Sequence, residues 1–426
     1  MPSDPLPLAK RALICGRIFP AEPLGGLQVA LTDLTVALRA LGWDVDLTIT
    51  PESLGLEMDH RARRRLWSSL SPAWSSAPRL DFIRGDARRL LRHLLLDGGG
   101  AHMNSAAMRL LAARLREKHY DGVIAVISTE TPGLARFIIS VHPNVVLVSL
   151  DGLSSELRLA RWLRLGRLTA RIAGAELHPA AYRAVDPSDI RTAVFASESW
   201  REEALNAGLP PAVAETVYFG VPECPALAPP GPLHNRLLWV GRASREKGLH
   251  RFIDALAVVR RTRPVTLTAV CGHGPVSYRR QLLQRIERHA LGDAVRLLPA
   301  VLRDDLPSFY RSHDALLFDS PFAEPVALVP TEAFAHGLPV VARRPSRSGP
   351  LLVPDDTCVC FSDSDPHDIA DAILRLFDND SLRERVRRQA HELVRRQFTM
   401  TAAAHAYDAV LRRVIAGNAR RSVPNA

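Results

Sequence analysis

At 426 residues the chain exceeds what a single core of ordinary size organises, so two domains are expected. Hydrophobic residues make up 47% of it, and no apolar run approaches the roughly 20 residues of a spanning helix, which argues against a membrane-embedded protein. The net charge of +10 comes almost wholly from arginine, with lysine only at Lys10, Lys118 and Lys247; it favours phosphate-bearing ligands or an anionic membrane surface.

The N-terminal stretch MPSDPLPLAKRALICG has no charged segment followed by an apolar one, so no signal peptide is expected and the cytoplasm is the default location. The five cysteines (Cys15, Cys224, Cys271, Cys358, Cys360) are scattered, with no C-x-x-C pair. They read as reduced, mostly buried thiols, and no metal site is expected from them.

Strand and helix patterns alternate along the chain, as in parallel sheets covered by helices on both faces. Residues 11–18 form a buried first strand, followed by a Pro/Gly-rich loop from Phe19 to Gly26. Leu27, Leu31, Leu34, Leu38 and Leu41 then recur at helical spacing, and Gly42 closes that helix before a strand at 45–50. Further strands are expected at 122–127, 145–150 and 192–196. Residues 222–235 hold five prolines without periodicity and read as a stiff linker. A second series begins at Leu237–Val240, with strands at 265–271, 294–298, 315–318, 339–342 and 358–361, a basic helix at 381–397 and a last segment near 401–415. The expected organisation is an N-terminal Rossmann-like domain at 1–222, a linker at 223–235, a second Rossmann-like domain at 236–400, and a helix at 401–426 that packs back on the first domain. In open parallel sheets of this kind ligands bind beyond the carboxyl ends of the strands.

Two constellations carry chemistry. The first, Gly241-Arg242-(x)4-Lys247-Gly248, lies directly between a strand and a helix. Two cations five residues apart on such a turn converge on one anion, with Arg as a planar fork and Lys as a point charge, and together they suit a pyrophosphate. They also suit charge that develops on a departing nucleoside diphosphate. A solvated basic turn is the plain alternative in so arginine-rich a chain, and the scarcity of lysine weighs against it. The second constellation is Glu324-(x)7-Glu332. Pro330 is placed as a helix start and Gly337 as its end, so Glu332 is expected in the first helical turn, where a carboxylate can accept from both hydroxyls of a ribose. Glu324 would stand on the preceding loop, and the backbone N–H groups of Leu328 and Val329 would face the ligand.

From FPAEPLGG through AVFASESWREEAL, VYFGVP, VGRASREKG, CGHGP, LPSFYRSHDALLFDS and EPVALVPTEAFAHGLPVVA, the chain resembles the family 4 glycosyltransferases. The resemblance implies the GT-B fold, an α/β architecture of two Rossmann-like domains facing each other across a cleft. It also implies a retaining, metal-independent transfer of a sugar from a nucleoside-diphosphate donor, UDP- or GDP-linked, with no cofactor besides that co-substrate. By the same resemblance Arg242 and Lys247 bind the donor diphosphate, Glu332 holds the ribose and Glu324 contacts hydroxyls of the donor sugar. Gly25 and Gly26 form the N-domain loop over phosphates and acceptor. Backbone around Gly272 and Gly274, and around Val301 and Leu302, approaches the nucleotide and its base.

The departures are specific. Asp151 stands where the family usually carries a histidine; it either positions a cationic or hydroxylated acceptor or caps the next turn, and the sequence leaves both open. Val326 and Ala327 replace a phenylalanine and a glycine, Phe219 replaces an asparagine, and the Gly-Gly-x-x-Glu loop is reduced to Ser348–Leu352 with no glutamate. These changes point to an unusual donor sugar or acceptor. The expected acceptor is a small molecule, in a natural-product setting; a lipid-linked acceptor and a non-catalytic nucleotide-binding subunit are the alternatives.

Arg158, Arg161, Arg164, Arg167 and Arg171 would line one helical face, and 61–67 and 86–93 are also basic. They read as a solvated face, a peripheral contact with an anionic membrane, or an acceptor cleft for an acidic molecule. No nucleic-acid partner is expected, because no recognised motif or aromatic-interleaved basic strand is present. A homodimer is compatible with the composition.

Overall fold

The computed structural model describes residues 10–16, 26–49, 111, 115–127, 134–149, 185–272, 274–319, 327–345, 349–363 and 365–421. The chain divides into two compact units. One contains the described residues before Phe219 and those from Ala403 onward; the other spans Phe219–Ala402.

In the N-terminal unit the elements are β1 (Arg11–Gly16), α1 (Gly26–Ala40), β2 (Asp44–Ile49), β3 (Gly122–Ile127), α2 (Leu134–Val141), β4 (Val145–Ser149), β5 (Ala193–Phe195), α3 (Glu198–Asn206) and β6 (Ala214–Thr216). The strands pair in parallel in the order β2-β1-β3-β4-β5-β6. Every residue of β3 and β4 is buried, which is why GVIAVI and VVLVS read as continuous apolar runs without alternation. β6 escaped the sequence reading because AET has no strand-like composition; it is held by pairing with β5.

The C-terminal unit runs β7 (Arg236–Arg242), α4 (Leu249–Val259), β8 (Thr266–Gly272), α5 (Val276–Arg288), β9 (Val295–Leu298), α6 (Leu306–Ser312), β10 (Ala315–Phe318), α7 (Leu328–Ala335), β11 (Val340–Arg343), β12 (Val359–Phe361), α8 (Pro366–Asp378) and α9 (Asp380–Gln397). Its sheet is again parallel, in the order β12-β11-β10-β7-β8-β9. Numbered from β7, this is the doubly wound 3-2-1-4-5-6 order, and its direction reverses between β7 and β10. Leu237, Trp239, Phe252, Ile253, Leu267, Leu317 and Phe361 fill the core beneath α4 and α8. The expectation of two Rossmann-like α/β domains is met.

Residues 222–235 have no helix or extended ladder, yet they are fastened to the C-terminal unit. Val221 pairs with Thr399, Pro225 O accepts from His391 Nε2 (2.8 Å), and Ala228 O accepts from Arg387 (2.9 Å). The last helix, α10 (Met400–Arg421), packs its part beyond Ala403 on the N-terminal unit. There Trp43 Nε1 donates to Asp408 (2.7 Å), and Asn418 donates to Pro143 O (2.8 Å). Among the described residues no helix is long and apolar enough to cross a membrane.

Candidate functional site

Arg242, Lys247 and Asp319 stand at or just beyond the carboxyl ends of strands in the C-terminal unit. Arg242 is the last residue of β7, and in the ladder it stands beside Gly272, the last residue of β8. The chain then makes a single 3-10 turn, Arg245–Lys247, and enters α4. Buried Trp239 supports this turn from below, its Nε1 donating to Lys247 O (3.3 Å). Glu246 faces Arg242 at 3.7 Å and accepts from Ser244 Oγ (2.6 Å); that hydrogen bond, more than the nearby cations, holds its carboxyl below the usual range.

Gly248 closes the turn with φ +71°, a conformation costly for any residue with a Cβ. An added Cβ would also overlap the Asp319 carboxylate. Asp319 follows β10 directly, and its side chain is fully buried. It binds the Arg251 guanidinium on α4 and Arg343 Nε on β11 (2.6 Å). The Arg343 guanidinium in turn lies over the Phe361 ring at 5.7 Å. One buried carboxylate therefore ties the first helix after β7 to the strands on the far side of the sheet's reversal point. Sequence reading missed this cluster. Asp319 could have been found as an acid ending an apolar strand, whereas Arg251 and Arg343 are hidden among so many arginines.

Gly274 is demanded by close approach, since a Cβ there would overlap the Ala243 carbonyl oxygen. It draws the β8–α5 turn against the β7–α4 turn. His250 and Tyr278 join the same two turns, with Nδ1 and the phenol oxygen 2.9 Å apart. Burial, and then Arg251, lowers the His250 pKa to about 4, so the ring is neutral at ordinary pH. Val301 and Leu302 lie just beyond β9, and Leu302 is 49% exposed.

Helix α7 begins at Leu328, two residues earlier than expected. Pro330 is its third residue, and Glu332 its fifth, so Glu332 lies in the second turn and not the first. Proline is tolerated there because the first four helical N–H groups have no intrahelical acceptor in any case. Gly337 ends the helix with φ +69°, as expected. Glu332 accepts a hydrogen bond from the Tyr310 hydroxyl (2.7 Å), and Tyr310 is 2% exposed. Burial first, and then the Glu332 charge, pushes the Tyr310 phenol well above its ordinary range, so it stays a donor.

The helices α4, α5 and α7, which follow β7, β8 and β10, start without a side-chain cap. By contrast α3, α8 and α9 are capped by Ser197, Asp365 and Asn379. Uncapped helix N-termini at a sheet's reversal point, beside an arginine and a lysine, suit an anion. Arg242, Lys247, Gly272, Gly274, Val301, Leu302, Leu328, Val329 and Glu332 thus lie at, or on the segments that follow, the carboxyl ends of β7, β8, β9 and β10. Gly26 opens α1. Gly25, Asp151 and Glu324 lie outside the described residues, as do the basic stretches 61–67, 86–93 and 158–171.

The chain is similar in fold to the crystal structure of Anabaena Alr3699/HepE in complex with UDP and glucose (TM-score 0.65, 18% identity, 95% of this chain and 100% of that one). It is 30% identical over 180 residues to a glycogen synthase of Mycobacterium tuberculosis, covering 41% of this chain and 43% of the relative. It is 33% identical over 156 residues to a D-inositol 3-phosphate glycosyltransferase of Paenarthrobacter aurescens, covering 36% and 38%. The matched part is thus less than half the length of these curated relatives. Residues 233–393, from just before β7 to within α9, match the family of glycosyl transferases group 1.

Proposed function

We propose that the protein is a retaining glycosyltransferase that moves a sugar from a nucleoside-diphosphate donor, UDP- or GDP-linked, to a small-molecule acceptor. The observation that carries this reading is the site at the reversal point between β7 and β10, with Arg242 and Lys247 on one turn and Glu332 held by Tyr310, inside the segment that matches the glycosyl transferases group 1.

In this reading Arg242, Lys247 and the N–H groups of Leu328 and Val329 bind the diphosphate, and Glu332 accepts from the ribose hydroxyls. As the bond from the sugar's anomeric carbon to the diphosphate oxygen breaks, negative charge grows on that oxygen and the two cations stabilise it. The acceptor hydroxyl bonds to the anomeric carbon on the face the diphosphate leaves, and its proton passes to the departing diphosphate. No separate general base is then required. Glu324 orients the donor sugar, and Gly25, Gly26 and Asp151 serve the acceptor side. The name of the inositol-phosphate relative supports a small polar acceptor, and the family departures support a specialised, biosynthetic one.

A thermal-shift panel of UDP, GDP, ADP and dTDP, each with and without magnesium, tests the donor site. A rise with one nucleotide, the same with and without metal, is expected. No rise with any of them overturns the reading, and a rise only with magnesium overturns its metal-independent form.

A further inference from the structure

The five cysteines are not equivalent. Cys15 and Cys271 are buried, and burial raises their thiols to about 12 and about 11. Cys224 is half-buried and also raised by burial. Cys358 and Cys360 differ from all three, because their Sγ atoms lie 3.5 Å apart. Residues two apart on a strand present their side chains to one face. The β11–β12 ladder runs only over Val359–Phe361, so Cys360 is held in the sheet while Cys358 stands just outside it. Cys358 ends a tight turn in which Asp355 has φ +61°, and its thiol is buried near Val353 O (3.8 Å). Cys360 is partly exposed, on the outermost strand of the sheet as described.

We propose that Cys358 and Cys360 form a reactive dithiol that undergoes thiol–disulfide exchange with low-molecular-weight disulfides, Cys360 attacking and Cys358 resolving. The charges around the pair favour this division of roles. The contact between the two sulfurs and, after it, Arg344 and Arg375 hold Cys360 below the ordinary thiol range. The same contact, then burial, raises Cys358, whose thiol donates to the Val353 carbonyl (3.8 Å). A thiolate beside arginines at a partly open position is the reactive form of cysteine.

In the first step the Cys360 thiolate attacks one sulfur of the external disulfide, forming a mixed disulfide and releasing one thiolate. That thiolate takes the Cys358 proton. Cys358 then attacks the Cys360 sulfur, closing the S–S bond and expelling the second thiolate. Two cysteines are oxidised to one disulfide, and one external disulfide is reduced to two thiols. Closure needs the sulfurs to approach from 3.5 Å to about 2 Å. The Cys358 backbone is tied to its turn, its N–H donating to Val353 O (3.3 Å) and its carbonyl accepting from Asp355 N (2.8 Å), so side-chain rotation has to supply the approach. The inference is independent of the glycosyltransferase reading.

The test uses the full chain carrying Cys224→Ser, incubated with oxidised glutathione, quenched in acid and mapped by mass spectrometry. The expected product is a Cys358–Cys360 linked peptide with no retained glutathione, reversed by dithiothreitol. Adding Cys358→Ser should trap a glutathione adduct on Cys360, and Cys360→Ser should leave Cys358 unmodified. Cys360 should react at least about tenfold faster than Cys15 or Cys271. A stable glutathione adduct without the linked peptide in the Cys224→Ser protein overturns the proposal, as does a Cys360 that reacts no faster than the two buried thiols.

Discussion

The two sheets carry their buried charge at opposite ends. In the N-terminal unit Asp46 is 8% exposed and accepts from Lys118 Nζ and Tyr120 Oη, both at 2.7 Å. The same end of that sheet holds Arg11 against Asp44 (2.7 Å), and Asn144 and His142 against the backbone that enters β3. These groups join the amino ends of strands and the segments leading into them, where they fix the entry of the chain. In the C-terminal unit the buried acid is Asp319, which follows the carboxyl end of β10 with Arg251 and Arg343 around it. Each unit has its own Asp, Lys, Tyr and His. The comparison teaches that both ends of a parallel sheet hold buried charge for the fold, and that only the carboxyl end is also where open parallel sheets take ligands.

The largest expected effect separates the two acids. Asp319→Ala leaves two guanidinium groups without their buried counter-charge and should cost about 3–5 kcal/mol in denaturant unfolding. Asp46→Ala strands a phenol and a half-exposed ammonium and should cost about 1–3 kcal/mol. Equal losses would break the comparison.

The two histidines give the next test. The unfolded chain protonates an imidazole near pH 6.5, whereas His250 in the native protein stays neutral down to about 4. Its contribution is therefore present above pH 6.5 and lost as pH falls towards 4, amounting to roughly 3 kcal/mol by linkage. His142 is lowered in the same direction, chiefly by burial, but backbone carbonyls of Tyr120 and Asn144 partly offset the burial. His250→Gln should flatten the acid limb of the melting temperature more than His142→Gln does. If the two are alike, the asymmetry fails.

Lysines and tyrosines sharpen the functional side. Lys247→Ala should weaken binding of the preferred nucleoside diphosphate about 10–100-fold by calorimetry, in line with loss of one charge-assisted contact, while Lys118→Ala leaves it unchanged. The smallest effect is expected from Tyr310→Phe, which removes one hydrogen bond that positions Glu332 and should weaken nucleotide binding about fivefold, roughly 1 kcal/mol. Tyr120→Phe should leave that affinity alone, and a loss of nucleotide binding there would contradict the division between ends.

Much of this was legible in the sequence because parallel strands buried on both faces write themselves as uninterrupted runs such as GVIAVI and ALLF. Arg242 and Lys247 stood out by a fixed spacing between a strand and a helix. What stayed hidden depends on contacts between distant segments. Asp319 meets Arg251 across 68 positions, and Tyr310 meets Glu332 across 22. The early start of α7 was missed because Pro330 was read as the first helical residue, although a third-position proline costs no hydrogen bond. Cys358 and Cys360 were passed over because a C-x-x-C spacing was sought, and a strand brings i and i+2 together instead.

The bridge between Val221 and Thr399 has a topological consequence. The chain enters and leaves the C-terminal unit through a single doorway, with both boundary segments side by side. Such a unit is wired like a closed ring: its ends can be spliced by a short linker and the ring reopened elsewhere, with the connections among β7–β12 preserved. Gly292 lies in the turn between α5 and β9, and nothing approaches within 4 Å of where its side chain would be, so it offers the place to cut.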